Sequence, residues 1–426
     1  MGIESYFRLE TWPRLIRAKQ TFCDTCIKDI AEHVTVQFAE LSKTYDFEGK
    51  RIAVAVGSRG IVALDKVVHA VICNLKKYNA QPFIIPAMGS HGGATAKGQR
   101  QTLELLGITE EAMGAPIVSS MDVEKICETE DQTPVYVSKD ALAADGIIVV
   151  NRVKMHTSFR GDYESGILKM MVVGLGKHAG ALLLHGLGFE RMAQNIVTLG
   201  TKILKSTKIV CGVGIVENAY EKTAEVAVIP ADRILEEEPK LLRWSKSLMP
   251  RIPFEKVDIL VLKYIGKDIS GDGMDPNITG RYTPHTMKPD YSWMPKITRA
   301  VAFDLTDASH GSAIGMGHLD VIPQKFRDKI DFEMTYINAV TATVTNTCKM
   351  PIVMPDERSV LEVAVQTSEV ADPKQVKICL LEDTLHLDRM IVSEPLYRKE
   401  IEGCNVEYED AFFEMKFDKK TGDLIL

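Results

Sequence analysis

The sequence predicts an α/β protein of two domains, each with a mainly parallel, Rossmann-like sheet, and an active-site crevice between them. Short apolar runs are followed by a glycine-rich turn and then by a helical pattern, and this succession repeats along the chain. Such repetition is typical of parallel sheets, whose ligands bind at the carboxyl ends of the strands. A chain of 426 residues also exceeds what one hydrophobic core usually organises.

The first half alternates expected strands and helices. Helical periodicity covers 1–45 and 62–78, resumes near Ala96, and returns from Pro239 to Leu248, where the proline suits a first helical turn. The expected strands are Arg51–Val56, Pro82–Pro86, Gly146–Val150 and Ile209–Ile215.

The second half begins where Pro250 and Pro253 interrupt the chain. We therefore expect an N-terminal α/β domain over 1–250 and a C-terminal α/β domain over 251–426. Helical patterns cover 329–342 and 356–364 in the second domain. Its expected strands are Val257–Val261, Ala300–Leu305 and Val376–Leu381.

Composition and charge narrow the class of ligand. A formal net charge of -7 and a pI near 5.9 disfavour nucleic acid and anionic membranes, which call for a basic surface. No apolar run reaches the roughly 18 residues of a membrane span, and no signal-peptide core is present. We expect a cytoplasmic protein that binds a small molecule, and a homo-oligomer is left open.

Eight cysteines are scattered along the chain and do not suggest a disulfide framework. Cys23 and Cys26 have the spacing of a metal-binding pair, but a structural zinc site needs further ligands and only His33 lies near. We expect two thiols near one helical face.

Residues 151–188 concentrate the polar chemistry of the chain. The stretch contains His156, His178 and His185, together with Lys169 and seven glycines. An enclosed ammonium is costly, so Lys169, which lies in an apolar run, is a candidate nucleophile or covalent anchor. The alternative is a lysine that extends to the surface. His178 and His185 are seven residues apart, so on a helix they share a face and could bind a metal.

Polar residues also follow three of the expected strands. Arg59 and His91 lie in glycine-rich turns after the first two strands, and His156 follows the third. An arginine in such a turn suits a carboxylate or phosphate, and two histidines there could act as general base and general acid. Histidines that merely cap loops are the alternative.

These residues resemble the nickel-pincer lactate racemase family, whose members racemise or epimerise 2-hydroxy acids. The likeness rests on Arg59 after a strand, on Gly89-Ser90-His91, and on Lys169 followed sixteen residues later by His185. It extends over most of the chain, and residues 266–277 resemble a divergent subgroup. The first family motif reads Asp-x-x-Arg, whereas Val56 replaces the aspartate here, and the segment 160–165 looks enlarged.

The resemblance implies a role for each matching residue. Lys169 would tether a nickel-pincer nucleotide, with nearby contacts from Ser58, Arg59 and Gly174, and His185 would bind the nickel. A planar set of soft sulfur donors and one imidazole suits nickel better than zinc. His91 and His156 would be the acid–base pair. The substrate-binding candidates are Arg59, Lys267, Asp272 and Arg281.

The implied function is inversion of C2 of a 2-hydroxy acid by proton-coupled hydride transfer through a 2-keto intermediate. Imidazole alone is too weak a base to remove the hydrogen on C2, so a hydride-accepting cofactor avoids the carbanion. Proteins that make the cofactor would be transient partners. A non-catalytic binding protein for an anionic nucleotide or hydroxy acid remains the alternative, and a zinc hydrolase that uses His178 and His185 is a third.

Overall fold

The computed structural model describes residues 7–57, 60–282 and 294–426. These residues form two compact units. One unit is Cys23–Met249, here called the central unit, and the other combines the residues before Cys23 with Pro250–Leu426 and is here called the terminal unit.

Strands occur in both units. In chain order they are β1 Leu15–Thr21, β2 Arg51–Val56, β3 Gln81–Pro86, β4 Val123–Glu128, β5 Pro134–Ser138, β6 Gly146–Arg152, β7 Ile209–Glu217, β8 Thr223–Pro230, β9 Lys256–Ile265, β10 Lys296–Leu305, β11 Val321–Pro323, β12 Ile352–Met354, β13 Ile378–Leu381, β14 Arg389–Ser393, β15 Asn405–Tyr408, β16 Lys416–Phe417 and β17 Leu424–Ile425. Each strand expected from the sequence is present.

Helices alternate with these strands, and a π-helical turn, Met170–Leu175, separates two of them. In chain order the α-helices are α1 Ile30–Leu41, α2 Leu64–Lys77, α3 Ala96–Leu105, α4 Glu110–Met113, α5 Lys139–Leu142, α6 Ile167–Lys169, α7 Lys177–Gly186, α8 Met192–Ser206, α9 Ile234–Leu248, α10 Pro276–Thr279, α11 Gln324–Asp328, α12 Phe332–Thr341 and α13 Glu357–Gln366.

The central unit is built on a sheet with the strand order β3-β2-β6-β7-β8. The first four strands are parallel and β8 is antiparallel to β7. Residues 52–56 of β2 are completely buried, as expected for a strand with helices on both faces. The chain places β3 on one side of β2 and β6 on the other, so the strand order reverses between β2 and β6. Ligands of open α/β sheets bind at the carboxyl edge beside such a reversal.

The terminal unit contains an eight-stranded sheet with the order β12-β11-β10-β9-β13-β14-β1-β15. The strands from β12 to β13 are parallel, and the last three pair in antiparallel fashion. Here the order reverses between β9 and β13. Both sheets are therefore mainly parallel.

The expected helix over 1–45 is wrong in its first part. Leu15–Thr21 forms β1, whose residues alternate between buried and exposed positions and pair with β14 and β15. Apolar period-two alternation favours a strand over a helix. This pairing places the start of the chain in the terminal unit rather than in the expected 1–250 domain. Helix α1 begins only after Asp29, which caps it by accepting the main-chain N–H of Glu32.

Cys23 and Cys26 lie in the non-helical segment that precedes α1, and both are exposed. The expected helical face for these two thiols is therefore wrong, because the helix begins at Ile30.

Helix α9 begins at Ile234 and not at Pro239, which lies inside it. A proline inside a helix has no N–H for the carbonyl four residues earlier, here that of Leu235. The hydroxyl of Tyr163 donates to this carbonyl instead. The tertiary contact thus satisfies the acceptor that the proline leaves unpaired, which explains why the helix continues through it.

The contact between Tyr163 and Leu235 predicts an interaction with Pro239. Tyr163→Phe should lower the free energy of unfolding by about 1 kcal/mol, the usual net value of such a hydrogen bond. In a Pro239→Ala background the loss should be smaller, because the alanine N–H can bind Leu235. Urea unfolding of the four proteins in the double-mutant cycle measures both values. Equal losses in the two backgrounds would contradict this explanation.

Candidate active site

The candidate site lies at the carboxyl edge of the central unit, where the strand order reverses between β2 and β6. The loops after β2, β3 and β6 start there with Gly57, Ala87 and Val153. His91 lies in the second loop and His156 in the third, as expected from the sequence. Ser58 and Arg59, the predicted cofactor-binding and substrate-binding residues of the first loop, lie outside the described residues.

Residues 167–186 form a bent helical segment that packs on this edge. The segment consists of α6, the π-helical turn and α7, with a bend of 111° between Ile167–Leu175 and Lys177–Gly186. A Cβ atom at Gly174 would lie 2.8 Å from the carbonyl oxygen of Ala87, which directly follows β3. At Gly89 it would lie 2.9 Å from a methyl group of Val173. The segment therefore contacts the loop that carries His91 directly.

Gly174 was expected to contact a cofactor. The space that a Cβ atom of residue 174 would need is occupied by the main chain of Ala87 and by the sulfur of Met170. The structure thus gives this glycine a packing role, because any side chain would separate the π-helical turn from the loop after β3.

His156 is half-buried and its ring is held on two sides. Its Nδ1 accepts the main-chain N–H of Ser158 at 3.0 Å, and its ring centre lies 4.2 Å from that of Phe159. An acceptor at Nδ1 places the proton of the neutral ring on Nε2. In this tautomer Nε2 carries the proton, so it can donate a hydrogen bond but cannot accept a proton. The predicted acid–base role therefore requires Ser158 to release the ring first.

Lys169 is brought to the same aromatic ring. Its ammonium lies 5.5 Å from the centre of the Phe159 ring, a distance at which cations interact favourably with an aromatic face. Lys169 is half-buried, so of the two alternatives left by the sequence the structure favours a lysine that extends towards the surface over one enclosed in an apolar core. Phe159 thus joins His156 and Lys169, two candidate residues that are thirteen positions apart in sequence.

Glu164 organises the loop that carries His156. Its side chain is fully buried. One carboxylate oxygen accepts the main-chain N–H of His156 at 2.7 Å, and the other lies 2.6 Å from the ammonium of Lys246. Glu164 belongs to the segment 160–165, so a residue of this segment supports the main chain at His156.

Glu238 organises the start of the segment that carries Lys169. It is 1% exposed, and one of its oxygens accepts the main-chain N–H of Leu168 at 3.0 Å. Burial raises the pKa of this carboxyl to about 7, although its hydrogen bonds to the N–H groups of Leu168 and Ile167 oppose the rise. The sequence shows Glu238 only as part of an acidic run, and nothing in it signals a buried carboxyl.

His91 lies half-buried after β3 and directly before a short helical turn, Gly92–Ala94. Its main-chain N–H donates to Met88 at 3.1 Å. The buried amide of Gln99 donates to the carbonyl of Gly89 at 2.8 Å and to that of His91 at 3.4 Å. A neighbouring helix, α3, therefore holds the main chain of this loop.

His185 and His178 lie on the same helix but in different surroundings. His185 is half-buried in the last turn of α7, where its ring stacks on Phe189 at 6.0 Å between centres. His178 is exposed near the first turn. Across residues 7–57, 60–282 and 294–426, no group of three or more His, Cys, Asp or Glu is arranged to hold a metal ion.

Lys267, Asp272 and Arg281, the remaining substrate-binding candidates, belong to the terminal unit. The ammonium of Lys267 donates to the side chain of Asn338 at 2.9 Å, and Asp272 is half-buried. The guanidinium of Arg281 donates to two main-chain carbonyls, at residues 298 and 318, and pairs with Asp320 at 2.8 Å. These three bonds hold the guanidinium of Arg281 against residues of the terminal unit.

Sequence reasoning missed a histidine–carboxylate pair beside the strand reversal of the terminal unit. Asp383 is buried in the loop after β13 and accepts the main-chain N–H groups of Leu385 and His386. Nδ1 of His386 lies 2.9 Å from the same carboxylate. The sequence does contain an indication of this pair, because both polar residues come shortly after the expected strand Val376–Leu381.

Comparisons with known proteins show which fold this chain resembles. Residues 54–231 match the family described as "Domain of unknown function (DUF362)". No curated protein sequence matches the chain. Among solved structures, the lactate racemase apoprotein from Thermoanaerobacterium thermosaccharolyticum is similar, with a TM-score of 0.53, 13% identity, and coverage of 85% of this chain and 93% of that chain. The chain has a lactate racemase-like fold. The predicted α/β class with large, mainly parallel sheets is thereby confirmed.

No single helix among the described residues is long and apolar enough to cross a membrane. The bent pair of 167–175 and 177–186 passes the same test by length and composition only, as a buried helix of a soluble protein also does.

The buried carboxyl of Glu238 predicts a pH-dependent stability. Because its pKa is about 7 in the folded chain against 4.5 for an unperturbed glutamate, the folded chain retains a proton that the unfolded chain releases. Its contribution is therefore present below pH 4.5 and is lost as the pH rises towards 7, by about 3 kcal/mol in total. Glu238→Gln should gain stability relative to wild type over this interval.

Chemical unfolding of both proteins at pH 4.5 and pH 7.5 measures this difference, and the other titrating groups cancel in the comparison. Glu236→Gln, which removes a mostly exposed carboxylate from the same helix, is the matched control. A Glu238→Gln difference that does not change with pH would show that this carboxyl is charged in the folded protein.

Proposed function

We propose that the protein is a racemase or epimerase of a 2-hydroxy acid that uses a nickel-pincer nucleotide tethered to Lys169. The observation that carries the proposal is the bent segment 167–186, which packs on the loop of His91. Its two helical parts, 167–175 and 177–186, are here called its arms, and they carry Lys169 and His185 respectively. The similarity to the structure of a lactate racemase apoprotein supports the same reaction class.

The residues present fit such a cofactor. Lys169 is half-buried and its amine lies 5.5 Å from the centre of the Phe159 ring, which suits a flat ring attached to that amine. His185 would be the protein ligand to nickel, and a cofactor that brings its own sulfur donors needs only one imidazole. When bound, the cofactor supplies the acceptor for the hydride on C2 of the substrate.

The two histidines take different roles in this proposal. Nε2 of His156 carries the ring proton, because Nδ1 accepts the N–H of Ser158, and it would donate a hydrogen bond to a substrate oxygen. A neutral imidazole is a poor acid, so this geometry favours orientation and polarisation over proton transfer. We assign the transfer of the hydroxyl proton to His91. The buried Glu164 then acts by keeping the loop of His156 in place.

The tether is tested by intact mass after expression with and without the enzymes that make the cofactor. Added mass is expected on the wild-type protein only with those enzymes, and it should be absent from Lys169→Ala. Lys205→Ala, which removes an exposed lysine of α8, should keep the added mass. His185→Ala should keep the mass and lose nickel. Wild-type protein without added mass would refute the proposal and would favour a non-catalytic binding protein.

Racemisation by the loaded protein distinguishes the two histidines. His91→Gln should lower kcat by about a hundredfold or more, because a proton-transferring group is lost. His156→Gln should lower it less, since the glutamine amide still donates a hydrogen bond. Conversion of single enantiomers of short hydroxy acids and sugar acids, with equal nickel content in each protein, gives the comparison. A larger loss in His156→Gln would reverse the assignment.

A further inference from the structure

Lys177 forms the corner of the bent segment 167–186. It is the first residue of α7 and has a φ of +54°, in the left-handed region that a residue with a Cβ atom rarely adopts. The bend of 111° between the arm of Lys169 and the arm of His185 lies at this position. A glycine here would remove the backbone strain, so the presence of lysine indicates a role for its side chain.

The side chain of Lys177 is completely buried. Its ammonium donates to the carbonyl of Pro86, the last residue of β3, at 2.5 Å and lies 3.4 Å from the side-chain oxygen of Gln99. Burial lowers the pKa of this lysine to about 8, which reflects the cost of enclosing the charge. An apolar side chain of similar length would fill this space without that cost, so packing alone does not explain the lysine.

Gln99 links Lys177 to the loop of His91 through side-chain hydrogen bonds. An ammonium can only donate hydrogen bonds, so Gln99 must present its oxygen to Lys177. The amide nitrogen of Gln99 then faces the carbonyls of Gly89 and His91, to which it donates. Lys177 therefore selects the orientation of the amide that holds the loop.

We propose that Lys177 is a positioning residue that, through Gln99, fixes the loop of His91 relative to the helical arms that carry Lys169 and His185. The catalytic meaning of this role rests on the proposed function. The mechanical link itself does not, since it joins α7, β3 and α3 within the central unit.

Two variants of the full-length protein test the link. Lys177→Met removes the ammonium and leaves an apolar chain of similar length. Gln99→Glu keeps an acceptor for Lys177 and gains an ion pair with it, but it loses the two bonds to Gly89 and His91. The matched controls are Lys205→Met and Gln101→Glu, at exposed positions of α8 and α3.

Hydrogen exchange and histidine NMR give readouts that do not depend on activity. Amide exchange in peptides that cover 88–95 should be roughly tenfold faster in both variants, because the loop loses one or two hydrogen bonds. The ring signal of His91, assigned with His91→Gln, should shift in both variants and not in the controls. In Gln99→Glu the exchange of α8 should stay at the wild-type rate.

Unchanged exchange in 88–95 together with an unshifted His91 signal, either in Gln99→Glu or in a folded Lys177→Met protein, would overturn the inference. Uniformly faster exchange across the central unit in both variants would also overturn it, since that result indicates a role in folding alone. Because these measurements use protein without cofactor, a failed racemisation assay would refute the proposed function and leave this test valid.

Discussion

The candidate site depends on close packing between the bent segment 167–186 and the loop that follows β3. Gly174 touches the main chain of Ala87, and the ammonium of Lys177 binds the carbonyl of Pro86. The packing at Gly174 leaves no room for a side chain, because a Cβ atom there would lie 2.8 Å from the carbonyl oxygen of Ala87. The two arms of the segment are therefore held at a defined angle, and this angle sets where Lys169 and His185 lie relative to the strand ends.

Three buried ionisable groups support this arrangement, and each binds main-chain atoms. Glu164 binds the N–H of His156, Glu238 binds that of Leu168, and Lys177 binds a carbonyl. Enclosing a charged group lowers stability unless hydrogen bonds compensate. Here the hydrogen bonds go to main-chain groups in a loop, in the first turn of a helix and at the end of a strand. Burial of these groups therefore costs folding free energy, and it fixes the position of short main-chain segments beside the candidate residues.

The sequence was sufficient for the parts of the fold that follow from local pattern. Apolar runs such as Arg51–Val56 are buried on both faces, so their hydrophobicity alone identified them as strands of a parallel sheet. Polar residues directly after such runs, His91 and His156, lie at the carboxyl edge because the strands are parallel. The pattern failed at Leu15–Thr21, where the pairing with β14 is almost four hundred residues away in sequence, and at Pro239, whose missing N–H is compensated by Tyr163.

The sequence by itself thus determined the α/β class, most strands and the edge of the sheet at which the candidate residues gather. Tertiary structure alone decided which lysine is enclosed, since Lys177 is buried and Lys169 is not. It also decided the tautomer of His156, and it decided that Arg281 binds a carbonyl group and a carboxylate of its own unit. The physical reason is common to these cases: periodicity records which residues avoid water, whereas the state of a polar group depends on partners that only folding brings near.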